Sequence, residues 1–180
     1  MQHCAENQID IIMITELNLN LTQGRMRKNL REAFKRYDRH MKIQFTFPKI
    51  QVDKKTKHLM GSNTIGIQEG YARRVVWTGA DEYGRWSQMA IKCGGKKTML
   101  YCAYQVCINN PTGESTIASQ EITAMQENNH KYPTKPQKAF LHDIEQSILS
   151  QTQQNVEIIL GMDANSDITS KDIETLCTLH

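Results

Sequence analysis

Two apolar runs near opposite ends of the chain constrain its fold most. Ile9-Asp10-Ile11-Ile12-Met13-Ile14 leads into Thr15-Glu16-Leu17-Asn18, and Val156-Glu157-Ile158-Ile159-Leu160, followed by Gly161-Met162, leads into Asp163-Ala164-Asn165. Short apolar runs bounded by polar turn residues read as buried strands. Each run delivers an acid, with an amide two residues further on, to the strand end where the backbone turns. That is where α/β proteins keep their chemistry.

Between these runs the pattern alternates. Thr22 to His40 carries Met26, Leu30, Ala33, Phe34 and Tyr37 at helical spacing, with Thr22 as N-cap. The same helix bears Arg25, Arg27, Lys28, Arg31, Lys35, Arg36 and Arg39, which read either as a solvated outer face or as a nucleic-acid stripe. Lys42 to Pro48 alternates as a half-buried strand, and the polar stretch Gln51 to His58 reads as an exposed loop. Ser62–Ile67, Ala72–Trp77, Arg85–Ile91 and Thr98–Cys107 follow as strands, with turns at Ala80–Gly84 and Gly94-Gly95 and a breaker at Asn109–Gly113. This middle portion is expected to be mainly antiparallel sheet. Helices are expected near Ser115–Gln126 and Gln137–Gln151, separated by a loop holding Pro133 and Pro136. In the second, Phe140, Leu141, Ile144, Ile148 and Leu149 mark one apolar face. A short helix is expected near Ser170–Leu179.

Composition excludes several classes. With 180 residues, 39% hydrophobic and 23% charged, the chain can bury a core, and with no repeat or linker to divide it residues 1–180 are expected to form a single domain. Mean hydropathy is −0.56, and no apolar stretch approaches the roughly 18 residues of a membrane span. The N-terminus lacks the basic start and apolar core of a secretory signal, so an intracellular protein, nuclear or cytoplasmic, is expected. Cys4, Cys93, Cys102, Cys107 and Cys177 form no Cys-x-x-Cys pair, so reduced, mostly core thiols are expected and not a zinc site. A net charge of +3 is mildly basic and compatible with a polyanionic partner.

If the core brings Glu16 and Asp163 together, carboxylates beside a carboxamide make an oxygen-ligand site suited to Mg²⁺ or Mn²⁺. Such an ion polarises a phosphoryl oxygen, and an acid beside it can orient or deprotonate water. Asp-x-Asn also serves as ordinary turn chemistry, in which Asx side chains satisfy nearby backbone groups.

The succession Thr15-Glu16-Leu17-Asn18, Gly66 in a strand, Gly84-Arg85-Trp86-Ser87, Ala103-Tyr104-Gln105-Val106-Cys107 and Leu160-Gly161-Met162-Asp163-Ala164-Asn165 resembles the endonuclease/exonuclease/phosphatase superfamily. That superfamily includes abasic-site endonucleases, DNase I-like enzymes and the endonucleases of non-LTR retroelements. The resemblance covers nearly the whole chain in order. It implies a four-layer α/β sandwich with two mainly antiparallel sheets flanked by helices.

By the same resemblance, Glu16 is the metal ligand, with Mg²⁺ (or Mn²⁺) as cofactor. Asp163 and Asn165 orient the water and contact the scissile phosphate. Tyr104 is an active-site tyrosine that holds or polarises the phosphate, its other reading being an amphipathic residue at a sheet edge. Asn18 is a weaker candidate substrate contact, and so are Arg73 and Arg74, for which a solvated strand edge is the alternative.

Departures accompany the likeness. Met162 stands between Gly161 and Asp163, where the family places Gly directly before the Asp. The family's first strand with its metal-site asparagine, and its late Ser-Asp-His motif, have no counterpart here, so the domain is expected to be incomplete at both ends. His180 is not that motif's histidine. The resemblance therefore implies metal-dependent phosphodiester hydrolysis with DNA as partner, an endonuclease of repair or retroelement type, reduced or absent in this stretch. The alternatives are a non-catalytic nucleic-acid-binding remnant and a phosphatase or phosphodiesterase acting on lipids or small phosphoesters.

Overall fold

Alternation along the central strands decides the architecture of the computed structural model, which describes residues 9–48, 62–107, 116–167 and 170–178. In the first sheet, β1 (Ile11–Ile14) and β2 (Lys42–Thr46) flank β3 (Asn63–Ile67), both antiparallel to it. In the second, β4 (Val75–Ala80), β5 (Trp86–Cys93), β6 (Lys96–Tyr104) and β7 (Glu157–Asp163) follow one another across the sheet. Only the β6–β7 pair is parallel; β4–β5 and β5–β6 are antiparallel. The helices are α1 (Gly24–Tyr37), the one-turn α2 (Glu69–Ala72), α3 (Ile117–Glu127), α4 (Pro136–Thr152) and α5 (Lys171–Cys177).

Successive strand residues point to opposite faces, so each central strand feeds two cores. Met89, Ile91, Leu100 and Cys102 face Ile65 and Ile67 of the first sheet. Trp86, Ala90, Met99, Tyr101 and Ala103 face Phe140, Ile144 and Ile148 of α4, with Leu176 of α5 joining them. Polar groups on that face are satisfied locally, because Ser147 Oγ accepts from Gln88 Nε2 at 2.8 Å and is bonded to the Tyr101 hydroxyl at 2.9 Å. On the far side of the first sheet, Phe34 of α1 packs on Ile12 and Met41. The order of layers is therefore α1, first sheet, second sheet, and α4 with α5. This is the four-layer sandwich that the resemblance implies.

Glycine sets the spacing between two of these layers. A Cβ on Gly66, in the middle of β3, would stand 2.9 Å from Phe34 Cε1 and 3.1 Å from Met41 Sδ. Only a bare α-carbon lets α1 lie this close to the sheet.

Several local expectations change. Thr22 does not cap α1; Gln23 occupies that position without a side-chain bond, because the Thr22 hydroxyl is bonded to Asn20 Oδ1 instead. Ala72 belongs to α2, so β4 begins only at Val75, and Pro136 is not in a loop but opens α4, where its missing N–H costs nothing. The run before Asp163 is not a buried strand. Among the described residues it continues through Met162 as the edge strand β7, paired only with β6, and leaves Ile159 50% exposed. An apolar run does not distinguish a central strand from an edge with one packed face. Of the described cysteines only Cys102 is buried, where burial pushes its thiol up to about 11; Cys93 is half-buried and Cys107 and Cys177 are exposed, all unbridged. The expected loop at Gln51–His58 and breaker at Asn109–Gly113 lie outside the described residues. Among the described residues, no helix is long and apolar enough to cross a membrane.

Gly66→Val is expected to destabilise the fold by about 1–3 kcal/mol through overpacking against Phe34 and Met41. Gly70→Ala, whose new methyl meets nothing within 4 Å, is expected to leave stability unchanged or raise it by up to about 1 kcal/mol. Urea titration of both variants measures the contrast.

Candidate active site

Register and alternation place three of the candidate residues together. Tyr104 ends β6 and pairs with Asp163, which ends β7 in the parallel ladder. On β6, Leu100, Cys102 and Tyr104 share the face toward the first sheet; on β7, Gly161 and Asp163 do. The first sheet meets them there, because a Cβ on Gly161 would lie 2.8 Å from Met13 Sδ of β1. Three residues past Met13, the chain reaches Glu16. Glu16 and Asp163 thus come from strands in different sheets, facing across the sandwich rather than pairing within one sheet.

The Met162 insertion has a structural account. Met162 packs on the α4 side, while Gly161 supplies the close approach between the sheets. Asp163 follows two residues after Gly161 on the same face, at the open end.

Tyr104 ties the groups electrostatically. It is 3% exposed, and burial first, then a hydrogen bond to Glu16 and the negative charges of Glu16 and Asp163, push its phenol well above its ordinary value. A hydrogen bond with Asn165 works in the other direction. At neutral pH the phenol is a proton-bearing donor between two acids. Asn165 is held in place, since its Nδ2 donates to Gln105 O at 2.8 Å and its backbone N–H donates to Asp163 Oδ1 at 3.3 Å. The Asx turn and the convergence on Tyr104 are therefore one arrangement. Glu16, Asn18 and Asn165 are exposed and all have left-handed backbones, with φ of 48°, 50° and 44°. For a glutamate this costs on the order of 1–2 kcal/mol, and such strain clusters at functional sites.

Not every candidate reaches this end. Arg73 pairs with Glu69 at 2.7 Å and Arg74 Nη1 contacts Cys93 Sγ at 3.0 Å, both at the opposite end of the second sheet. Thr98, near that end, is six residues of β6 from Tyr104, about 20 Å along an extended strand. Two supports were not foreseen from sequence. Asn63, buried at the start of β3, donates through Nδ2 to Gly84 O at 3.2 Å and Arg85 O at 2.9 Å, while the Tyr104 N–H donates to the same Arg85 carbonyl at 2.8 Å. The other is the Arg85 side chain. A polar residue opening an otherwise apolar strand was the only sequence signal for Asn63.

Arg85 is 2% exposed and anchors a charged cluster. Its Nε and Nη2 reach Asp81 at 2.9 and 3.0 Å, and Nη2 reaches Asp143 of α4 at 2.7 Å. His130 Nε2 lies 2.9 Å from the same Asp143 oxygen. Burial works against the Asp143 charge, but hydrogen bonds from Arg85 and His142 prevail and hold its carboxyl below the usual range. Glu121 of α3 is 4% exposed, and its Oε2 has no hydrogen-bond partner among the described residues. Burial pushes its carboxyl up to about 8.

The donors at the sheet end are oxygens and amides, which suit a hard divalent cation. Among the described residues no group of three or more His, Cys, Asp or Glu side chains is placed to hold a metal, so Glu16 and Asp163 are the acids available. A cavity of about 630 Å³ opens between α4 and α5 and is bordered by Gln105 and Ser166, but not by Glu16, Tyr104 or Asp163. The candidate site is an open shelf at the sheet ends.

No family model and no curated protein matches this sequence. Solved structures do match in shape. The human Nocturnin catalytic domain with a bound sulfate anion is 12% identical, with a TM-score of 0.58 over 98% of this chain and 59% of that one. An endonuclease/exonuclease/phosphatase family protein from Leptotrichia buccalis is 17% identical, with a TM-score of 0.52 over 98% of this chain and 62% of that one. A beta toxin from Staphylococcus aureus is 9% identical, with a TM-score of 0.51 over 94% and 57%. The chain has the endonuclease/exonuclease/phosphatase fold and spans about three fifths of the length of these proteins.

The Glu121 environment sets a pH dependence. A folded carboxyl at about 8 against an ordinary 4.5 means that its contribution to stability is complete below about 4.5 and is lost as pH rises to about 8. Glu121→Gln is expected to flatten the fall in stability across that window, so that the variant gains on the wild type as pH rises. Urea unfolding at about pH 5 and about pH 8.5 measures it.

Proposed function

We propose that the open sheet end carries out divalent-metal-assisted hydrolysis of phosphodiesters, with DNA as the substrate class and an endonuclease of repair or retroelement type as the activity. The observation that carries this reading is the convergence at one end of the sandwich of Glu16, Asp163 and Asn165, drawn from both sheets, around the buried Tyr104. The fold shared with the endonuclease/exonuclease/phosphatase family protein from Leptotrichia buccalis supports it.

Each residue has a task that its surroundings allow. Glu16, exposed and anionic, is the first ligand for Mg²⁺ or Mn²⁺, with Asp163 as the nearby second acid. A bound divalent ion polarises a phosphoryl oxygen and offsets the charge that grows during in-line attack. Asp163 keeps one carboxylate oxygen engaged by the Asn165 N–H, and its other oxygen orients the attacking water and accepts its proton. As the water oxygen bonds to phosphorus, the bond to the leaving ester oxygen breaks. Asn165 keeps one amide hydrogen on the Gln105 carbonyl and turns the second, which lies on the Tyr104 oxygen in the free protein, to a phosphate oxygen. Tyr104, kept protonated, transfers its one O–H from Glu16 to another phosphate oxygen when Glu16 takes up the cation.

With purified protein and supercoiled plasmid, nicking is expected with Mg²⁺ or Mn²⁺ and not with chelator. Glu16→Gln and Asp163→Asn are each expected to slow it at least about 100-fold, the scale of a lost general base. Tyr104→Phe is expected to slow it less. Equal nicking by wild type and both acid variants would overturn the assignment, and turnover of a lipid or small phosphodiester in place of DNA would move it to another substrate.

A further inference from the structure

Helix α1 lies on the outer side of the first sheet, and its charge is not explained by its own stability. Residues 24–39 carry seven cations, Arg25, Arg27, Lys28, Arg31, Lys35, Arg36 and Arg39, against Glu32 and Asp38, while the whole chain carries only +3. The rest of the protein is therefore net acidic, and the positive charge is concentrated here. A face built for solubility alternates signs in i,i+4 pairs. None of these cations is in an ion pair with a described residue, although Glu32 stands four residues from both Lys28 and Arg36. Asp38 is turned to backbone N–H groups of His40 and Glu69. The first turn holds no acid, and cations there oppose the helix dipole.

The cations divide by direction. Arg27 turns back to the Leu21 and Thr22 carbonyls and lies over Phe47, and Arg31 lies over Phe45. Arg25, Lys28, Lys35 and Arg36 are exposed without such a partner among the described residues. They fall on one side of the helix, over eleven residues from Arg25 to Arg36, about 16 Å of helix axis. The apolar side of α1, with Leu30, Phe34 and Tyr37, is packed on the sheet.

We propose that the Arg25–Lys28–Lys35–Arg36 face of α1 is a docking track for the phosphodiester backbone of nucleic acid. A row of cations without an ion-pair partner among the described residues matches a rod of regularly spaced phosphates and releases its counterions. A membrane surface fits less well, because an interfacial helix gains its binding from an apolar side, and the exposed large apolar residues among those described, Tyr71, Val76, Trp77 and Ile159, lie on other elements. The track also leads to the shelf. β1 and β2 run in the same direction against β3, so α1, which crosses between them, starts at the end where β1 releases Glu16 and runs away from it. A strand bound on the shelf can continue along the helix.

The test is independent of hydrolysis, since it is run in chelator with a short labelled DNA duplex and read by fluorescence anisotropy at salt concentrations between about 50 and 200 mM. Combining Arg25→Gln, Lys28→Gln, Lys35→Gln and Arg36→Gln is expected to weaken binding at least tenfold at low salt. The log–log salt slope should flatten by roughly 0.9 for each phosphate that the variant no longer neutralises. The control pair Lys92→Gln and Lys97→Gln, on the hairpin at the far end of the second sheet, should change neither. Unchanged affinity and slope in the α1 variant, with its thermal unfolding intact, would overturn the proposal. So would an equal loss in the control pair, or binding to anionic lipid vesicles without binding to the duplex.

Discussion

The buried guanidinium of Arg85 is the interaction on which the rest of the sandwich leans. Isolated in a protein interior, such a charge costs several kcal/mol, so it persists only where acids and acceptors surround it. Asp81 grips it from the β4–β5 turn, Asp143 from α4, and the rings of Tyr83 and Trp86 lie 4.7 and 4.9 Å away. One side chain thereby fixes a turn, a strand and a helix to one another. Its backbone carbonyl extends the same restraint to the working end, where it receives both the Tyr104 N–H and the Asn63 carboxamide. The two sheets are joined at that carbonyl, a few residues from the acids.

From this anchoring follows the geometry of the shelf. Tyr104 cannot drift along β6 because its amide is held, and the ladder to Asp163 holds β7 beside it. The bare Gly161 lets Met13 come close, so that the loop after β1 carries Glu16 over the end of the second sheet. The Leu17 N–H bonded to Ser62 O and the buried Leu21 secure that loop, which allows Glu16 to keep its left-handed backbone. Exposure matters as much as order here. Strand ends hold the groups while Glu16 and Asn165 face solvent.

Much of the frame was legible from patterning, because strands with two packed faces and helices with one leave strong periodic signals. The turn at Ala80–Gly84, the turn at Gly94-Gly95, the apolar face of Phe140, Ile144 and Ile148, and the strand ends at Glu16 and Asp163 all stand where periodicity puts them. The misplaced features have local physical causes. Thr22 reads as a cap because capping residues are defined by type, yet Asn20 captures its hydroxyl. The run at Val156–Leu160 reads as buried because apolar composition does not record how many neighbours a strand has. Arg73 and Arg74 read as a solvated strand edge or as phosphate ligands by charge alone, and strand direction carries them to the end of the sheet away from Glu16, Tyr104 and Asp163. Asn63 left almost no trace, since its partners lie 21 and 22 residues away in sequence, and the Arg85 cluster could not be assembled from spacing because Asp143 lies 58 residues from Arg85, although Asp81 is only four away.

What the sequence determined by itself is local: which segments are strands or helices, which faces are apolar, and that two strands end in an acid followed by an amide. These depend on residue type and spacing within one element, where the 2.0 and 3.6 periods act directly. Tertiary structure alone decided that Glu16 and Asp163 approach Tyr104 from different sheets and that the exposed cations of α1, without an ion-pair partner among the described residues, lie on a helix that starts at that end. Those relations are set by register, by the close approach at Gly161 and by a buried charge that must find its acids. They arise from packing across long stretches of chain, which no local pattern encodes.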